Sequence, residues 1–332
     1  MIEIKIRQLT YNEFFQLRNR NDTTFNLPHD FFDWEHYQNV YGPSIFISTW
    51  DDDKVIGTEI LQLLNLKLGK ITIKSAIAVE SFTDPKYRGQ GIWPKMVLKS
   101  QEIAKEKEIG LIWGFPNEVS KPILAAKLNW KYHSSLTKLI RFISSTPNEG
   151  YKLHLISTLL KSKRTRNGYI RKSNNIIDLN TFLNMYEWQN NAISIDDIKN
   201  YYEWRYKKYP QKNKINNIRV DEQGTIIGLD NEVISNNSLK ILSIYSAKDN
   251  IKLIINSIIK EAIQMKTFNI ELVCNPNSII YQDAITNGFH VKSKHELWIN
   301  PLNSDIIDIL ENSWWDLQMG DEDITYCRPF PN

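Results

Sequence analysis

Cysteine is scarce in this 332-residue chain, which carries only Cys274 and Cys327. A lone pair in a chain of this length excludes a disulfide-built scaffold and fits a reducing compartment. No Cys/His cluster has the spacing of a zinc site, so no metal is expected. Long apolar runs are missing too; none approaches the ~18 to 20 residues that a membrane span needs. The N-terminus, Met-Ile-Glu-Ile-Lys-Ile-Arg, alternates like a first strand and lacks the apolar core of a signal peptide. A cytoplasmic location is therefore expected. Neither sign of charge dominates: 41 Lys and Arg stand against 38 Asp and Glu. Such a surface has no general affinity for nucleic acid or anionic membrane. The single basic cluster, Lys161-Ser-Lys163-Arg164-Thr-Arg166 with Arg171-Lys172, reads as a solvated linker between two units.

What is present is an ordinary globular composition, 42% hydrophobic and 24% charged. The length suits two domains, each able to bury its own core. The most informative stretch is Ser81-Phe-Thr-Asp-Pro-Lys-Tyr-Arg-Gly-Gln-Gly-Ile-Trp-Pro-Lys-Met-Val97. An apolar strand, Ile77 to Phe82, the end of a core strand expected over Ile71 to Thr83, runs into a turn and then into a helix with Ile92, Met96, Val97 and Ile103 on one face. A glycine-rich turn at a helix start gathers unpaired N–H groups and the positive dipole end at one point, which suits a pyrophosphate. Gly89 and Gly91 let the backbone approach closely, and Arg88 adds a charge-assisted donor. There is no Gly-Lys-Ser/Thr for a nucleotide triphosphate loop, and no three-glycine dinucleotide fingerprint after a first strand.

The spacing Arg-x-x-Gly-x-Trp, from Arg88 to Trp93, resembles the acyl-CoA pyrophosphate loop of the GNAT superfamily of N-acyltransferases. Downstream, the strand Gly110 to Phe115, then Pro116-Asn117 and a helix closing at Leu128-Asn129-Trp130, follows the family's order of elements. The resemblance implies an acyl-CoA cosubstrate, acetyl-CoA or a short hydroxyacyl-CoA, held by Ser81, Phe82 and Thr83 along the strand. It implies diphosphate contacts from Arg88, Gly89, Gln90, Gly91, Ile92, Trp93 and Pro94, and a pantetheine contact from Asn117, which also reads as a plain N-cap. The backbone at Thr83 is expected to polarise the acyl oxygen.

Three departures from the family stand out. Trp93 occupies a loop position that is usually Gly or Ala. Leu124 and Ala125 stand where many members place a proton-donating Tyr. The strand Gly110 to Phe115 carries no Glu to serve as base. Glu80 is the acid on the strand before the loop and so the candidate base, but alternation puts it on the face opposite Ser81 and Thr83, where a structural role fits better.

The chain also repeats itself. Phe32-Asp-Trp34-Glu-His-Tyr37 precedes Val55-Ile56-Gly57, and Tyr202-Glu-Trp204-Arg-Tyr206 precedes Ile226-Ile227-Gly228; Trp and Gly lie 23 positions apart in the first copy and 24 in the second. Pro116-Asn117 has its counterpart in Pro276-Asn277. The expected fold class is α/β, two tandem GNAT-like units, each a mixed twisted sheet flanked by helices. Residues 1–148 form the acyl-CoA unit, 149–172 the basic linker, and 173–332 a second, degenerate unit whose Ser243 to Lys266 lacks the glycines and the arginine. His133 to Ser144 is expected to complete the first sheet, and Trp314 to Asp323 to pack back on the body.

Weak acid–base equipment suits an amine that is already largely neutral, such as one on a sugar ring. By analogy with tandem GNAT proteins, the acceptor is a nucleotide-linked amino sugar in surface polysaccharide synthesis, with Trp204, Arg205 and Tyr206 lining its site. Alternatives are acetylation of aminoglycosides or polyamines at an acidic cleft, a FemX-like aminoacyl transferase, and a non-catalytic acyl-CoA sensor. No nucleic-acid or membrane partner is expected, and any protein partner is a second copy of the chain.

Overall fold

The first half pairs its strands as its apolar runs dictate. In the computed structural model, which describes residues 2–20, 22, 25–143, 191–210, 215–220, 224–229, 238–246 and 248–318, the chain opens with β1 (Ile2–Ile6). Helices α1 (Tyr11–Asn19) and α2 (His29–His36) follow. Thr10 and Glu13 form a reciprocal capping box that fixes the start of α1. A hairpin joins β2 (Ile45–Asp51) to β3 (Lys54–Leu63), its turn helped by Asp52 at φ +50°. Two short strands, β4 (Leu66–Leu68) and β5 (Ile71–Ile73), lead to β6 (Ser75–Thr83). Next come α3 (Ile92–Glu106), β7 (Leu111–Gly114), α4 (Lys121–Lys127) and β8 (Lys131–Phe142).

The second half repeats this plan. After β9 (Ala192–Ile195) and α5 (Ile198–Tyr202), which runs into a π-helical turn at Glu203–Lys207, come β10 (Ile215–Val220), β11 (Gly224–Leu229) and β12 (Ser238–Ser246). Helix α6 (Ile251–Gln264), β13 (Asn269–Cys274), α7 (Ile279–Thr286) and β14 (His290–Pro301) complete the unit, before α8 (Ile307–Glu311) and β15 (Trp314–Trp315).

Among the described residues eleven strands form one continuous sheet in the order β1-β2-β3-β6-β7-β14-β8-β13-β12-β11-β10, and β15-β9-β4-β5 form a second, smaller sheet. The fold is α/β, and its long mixed sheet is consistent with two units of like plan. β6 pairs parallel with β7, and β12 parallel with β13, as the repeat requires. Helices α3 and α4 bury Ile92, Met96, Val97 and Leu124 on one face of the first half. On the second half α6 buries Ile251, Ile254, Ile255 and Ile258, spaced three and four apart. A third, aromatic-rich cluster lies on the opposite face and runs through both halves, from Phe14, Phe32 and Trp34 to Trp204, Tyr245 and Trp315.

Three expectations need correction. β8 does not close the first sheet: it lies between β14 and β13, while β14 of the second half takes the place beside β7. Each half thus donates its last strand across the middle of the molecule, a long-range exchange that local periodicity does not report. The run Ile71 to Thr83 is broken at Lys74, because β5 pairs with β4 in the small sheet. Trp204, Arg205 and Tyr206 are core: each is 3% exposed or less, and the Arg205 guanidinium lies over the rings of Trp34 and Trp204, 5.5 and 5.8 Å from their centroids. None of the three lines the cleft between β6 and β7.

The basic stretch 149–172, Cys327 and Asp321 to Asp323 lie outside the described residues. Cys274 is a buried free thiol. Trp314 to Gln318 do pack on the body, Trp315 against Trp113. Among the described residues no helix is long and apolar enough to cross a membrane.

Candidate active site

Strands β6 and β7 pair only over Ser75, Ala76 and Ile77. Beyond Ile77 they part, and the edge of residues 78–83 opens onto a cleft of about 740 Å³. Its far wall is Gly114, Phe115, Pro116 and Asn117 with the inner side of α4, and its floor is the loop that starts α3. Of the expected cofactor contacts, Ser81, Phe82, Thr83, Arg88, Gly89, Gly91, Ile92, Trp93, Pro94 and Asn117 all line this one cleft, and Gln90 alone does not.

The loop has the form an anion needs. Gly89 and Gly91 hold φ of +78° and +71°, and a Cβ at either would meet nothing within 4 Å. Gly91 is the N-cap of α3 and supplies no side-chain cap, so first-turn N–H groups remain free for a ligand. The Arg88 side chain reaches back to the Thr83 carbonyl, with Nε donating at 3.2 Å, which holds the guanidinium across the loop. Thr83 Oγ1 is buried without a hydrogen-bond partner among the described residues at the same end of the cleft, as a strand edge built around a bound ligand would leave it. These residues fit an extended, phosphorylated cosubstrate.

Asn117 serves the cleft from outside the helix. Its Oδ1 accepts the N–H groups of Val119 and Ser120, each at 3.0 Å, while α4 begins only at Lys121 with Ser120 as N-cap. The helix thus starts later than Pro116-Asn117 suggests, and Asn117 shapes the turn before it.

Sequence reasoning missed the carboxylate that matters. Glu59, midway along β3, is 1% exposed and lines the cleft. The register between β3 and β6 shifts here, so that Glu80 and Ser81 face the single residue Glu59, and Glu80 takes φ +53°. This is a β-bulge, and it turns Ser81 toward its neighbour. Ser81 Oγ donates to Glu59 Oε2, and Trp93 Nε1 donates to the same oxygen at 3.1 Å. Burial pushes the Glu59 carboxyl up to about 7, against the opposing pull of these two donors. The unusual Trp93 is thereby explained: its ring reaches from the first turn of α3 to cap a buried acid. The readable signal was an acid inside the apolar run Val55 to Leu63.

Glu80 is buried on the other face of the strand. Its Oε2 lies 3.4 Å from Arg18 Nη1 of α1, and the Arg18 guanidinium also lies over the Phe82 ring at 4.8 Å. Alternation thus placed Glu80 opposite Ser81 as expected, in an ion pair. Arg18, Glu80 and Phe82 form the cleft wall toward α1. Leu124 is buried and Ala125 is exposed, so α4 offers no phenol. Among the described residues no cluster of ligating side chains could hold a metal ion.

Residues 5–132 match the acetyltransferase (GNAT) domain family. No curated protein matches the chain. Among solved structures it is similar to a conserved protein from Enterococcus faecalis described as a probable N-acyltransferase, at 10% identity and TM-score 0.67 over 91% of this chain and 73% of that one. It is similar to a GCN5-related N-acetyltransferase from Anabaena variabilis, at 12% identity and TM-score 0.64, again over 91% and 73%. The N-myristoyltransferase of Saccharomyces cerevisiae, solved with bound myristoyl-CoA, shares 11% identity and a TM-score of 0.58 over 90% of this chain and 82% of that one. At such identities the structural likeness speaks to fold. The family match lies on the half that carries the cleft, and the two together support an acyl-CoA-dependent N-acyltransferase.

Proposed function

We propose that this chain, whose first half carries a GNAT acetyltransferase domain, binds acetyl-CoA or a short hydroxyacyl-CoA in the β6–β7 cleft and acylates a small amine there, with Glu59 as the general base. The diphosphate lies on Arg88 to Pro94 and the pantetheine arm along residues 81–83, with Asn117 opposite. The bulge at Glu80–Ser81 brings the thioester beside Glu59. One observation carries this reading: a buried carboxyl, raised to about 7, opens onto the cleft beside the strand edge that receives the thioester. Such a group is half ionised near neutral pH, which is where a base most effectively takes the proton that the amine nitrogen sheds on attack. The amine attacks the thioester carbon directly, and backbone N–H groups of the strand edge, Thr83 included, stabilise the oxyanion.

For the acceptor we propose a nucleotide-linked amino sugar, modified in the cytoplasm for a surface polysaccharide. Its support is the Arg18 guanidinium over the Phe82 ring, a cation and an aromatic face beside the bulge. A second reading, an aminoglycoside or polyamine acceptor, draws on the Glu59 carboxyl, an acid that lines the cleft. Release of free CoA thiol, followed with each acceptor class and each acyl donor, separates them. Turnover of sugar nucleotides with little on polyamines upholds the first. The reverse upholds the second, and release with neither removes both acceptor assignments.

A further inference from the structure

The departing thiolate needs a proton, and α4 carries no phenol to supply it. Four hydroxyls line the cavity: Ser81, Thr83, Tyr87 and Ser120. Tyr87 directs its proton to Asp51 Oδ2 at 2.9 Å, at the hairpin turn away from the bulge. Ser120 donates to the Asn117 carbonyl at 3.0 Å, and Thr83 Oγ1 has no partner among the described residues. Ser81 alone combines exposure to the cleft, a place at the bulge, and a hydrogen bond to a carboxylate that opens onto the same cleft.

We propose that Ser81 protonates the leaving sulfur and is recharged by Glu59 through the hydrogen bond they share. This rests on reading Glu59 as the base. The amine nitrogen bonds to the thioester carbon and the carbonyl pair moves to oxygen. The resulting ammonium gives one proton to Glu59. The oxyanion collapses, the C–S bond breaks, and its electron pair leaves on sulfur. Ser81 Oγ–H protonates the sulfur while Glu59 returns its proton to Oγ, so both residues end as they began. Trp93 stays on Glu59 Oε2 throughout and keeps the carboxyl aimed while Ser81 is engaged with sulfur. One carboxylate thus serves both ends of the reaction, and no tyrosine on α4 is required.

The test compares acetyl-CoA with its selenoester analogue, whose less basic selenolate leaves without a proton. Rates are taken on the alkaline plateau, because loss of the Ser81 donor also raises the Glu59 pKa. With acetyl-CoA, Ser81→Ala should lose about 10²-fold in kcat, the low end of general-acid contributions. Most of that loss should vanish with the selenoester, CoA affinity should not change, and Ser81→Thr should keep most of the rate. Lys127 is a cation that also lines the cleft; equal losses with both donors, no loss, or a leaving-group-dependent loss in Lys127→Met instead would overturn the relay. Glu59→Gln should be slow with both donors, since amine deprotonation does not depend on the leaving group. If it is not, the base reading fails and the recharging step with it, whereas a failed Ser81 test beside an inactive Glu59→Gln removes the relay alone.

Discussion

Trp34 and Trp204 hydrogen-bond each other's backbone. Trp34 Nε1 donates to the Trp204 carbonyl at 2.8 Å and Trp204 Nε1 to the Trp34 carbonyl at 3.0 Å, with the rings stacked 5.3 Å apart. The two anchors of the sequence repeat therefore meet at a local two-fold, in the core that both halves share. Trp204→Phe keeps a ring but leaves the Trp34 carbonyl unpaired, and should cost about 1–3 kcal/mol. Trp34→Ala should cost about 3–5 kcal/mol. Urea denaturation measures both. Arg205→Ala should likewise lower stability and leave KM for every substrate unchanged, as suits a residue buried among these rings.

One cosubstrate molecule should bind per chain. In the second half the edge of β12 beyond its pairing with β13 is already occupied: Gln318 Oε1 accepts from the Ile244 N–H at 2.7 Å and Gln318 Nε2 donates to the Ile244 carbonyl at 3.0 Å. A side-chain amide there holds the strand edge that in the first half faces the open cleft. Calorimetry with acetyl-CoA should give one equivalent, and Gly91→Val should abolish binding, since φ of +71° disfavours a β-branched residue and its side chain enters the anion cradle. Two equivalents, or undiminished affinity in the variant, would contradict this.

Glu59 should weaken the fold as pH rises. Burial raises its carboxyl in the folded state to about 7 from the ordinary 4.5, so between those values the folded chain holds a proton that the unfolded chain has released. Stability falls across this window, by at most about 3 kcal/mol for a shift of that size. Gln at this position still accepts from Ser81 and Trp93 but does not ionise. Glu59→Gln should match the parent near pH 4.5 and melt a few degrees higher above pH 7, at roughly 2–4 °C per kcal/mol for a chain of this size. Melting curves across pH decide it.

Trp93 should tune the base. Its indole N–H favours the ionised carboxylate, so Trp93→Phe should move the activity limb of Glu59 to higher pH while CoA affinity changes little. An unmoved limb would show that the contact does not persist in solution.

The cleft was largely readable because its parts are local: a strand, two glycines and a helix start lie within a few residues, and Arg88 to Pro94 fold by short-range rules. The repeat was readable as well, since Trp34 and Trp204 keep their spacing to the next glycine. The exchange of β8 and β14 was not, because strand order depends on partners more than 100 residues apart. Trp204, Arg205 and Tyr206 were misplaced for a related reason: an aromatic–cation triplet looks alike in a binding site and in a core, and only the stacking on Trp34 tells them apart. Glu59 escaped notice because its role depends on a bulge that sets two residues of β6 against one of β3.

The most direct measurement is the pH dependence of kcat/KM for acetyl-CoA turnover, parent against Glu59→Gln. The parent should rise with pH through a single limb near the Glu59 value of about 7, and Glu59→Gln should lose about 10²–10⁴-fold and the limb with it. A variant that keeps both the rate and the limb would contradict the assignment of Glu59 as base.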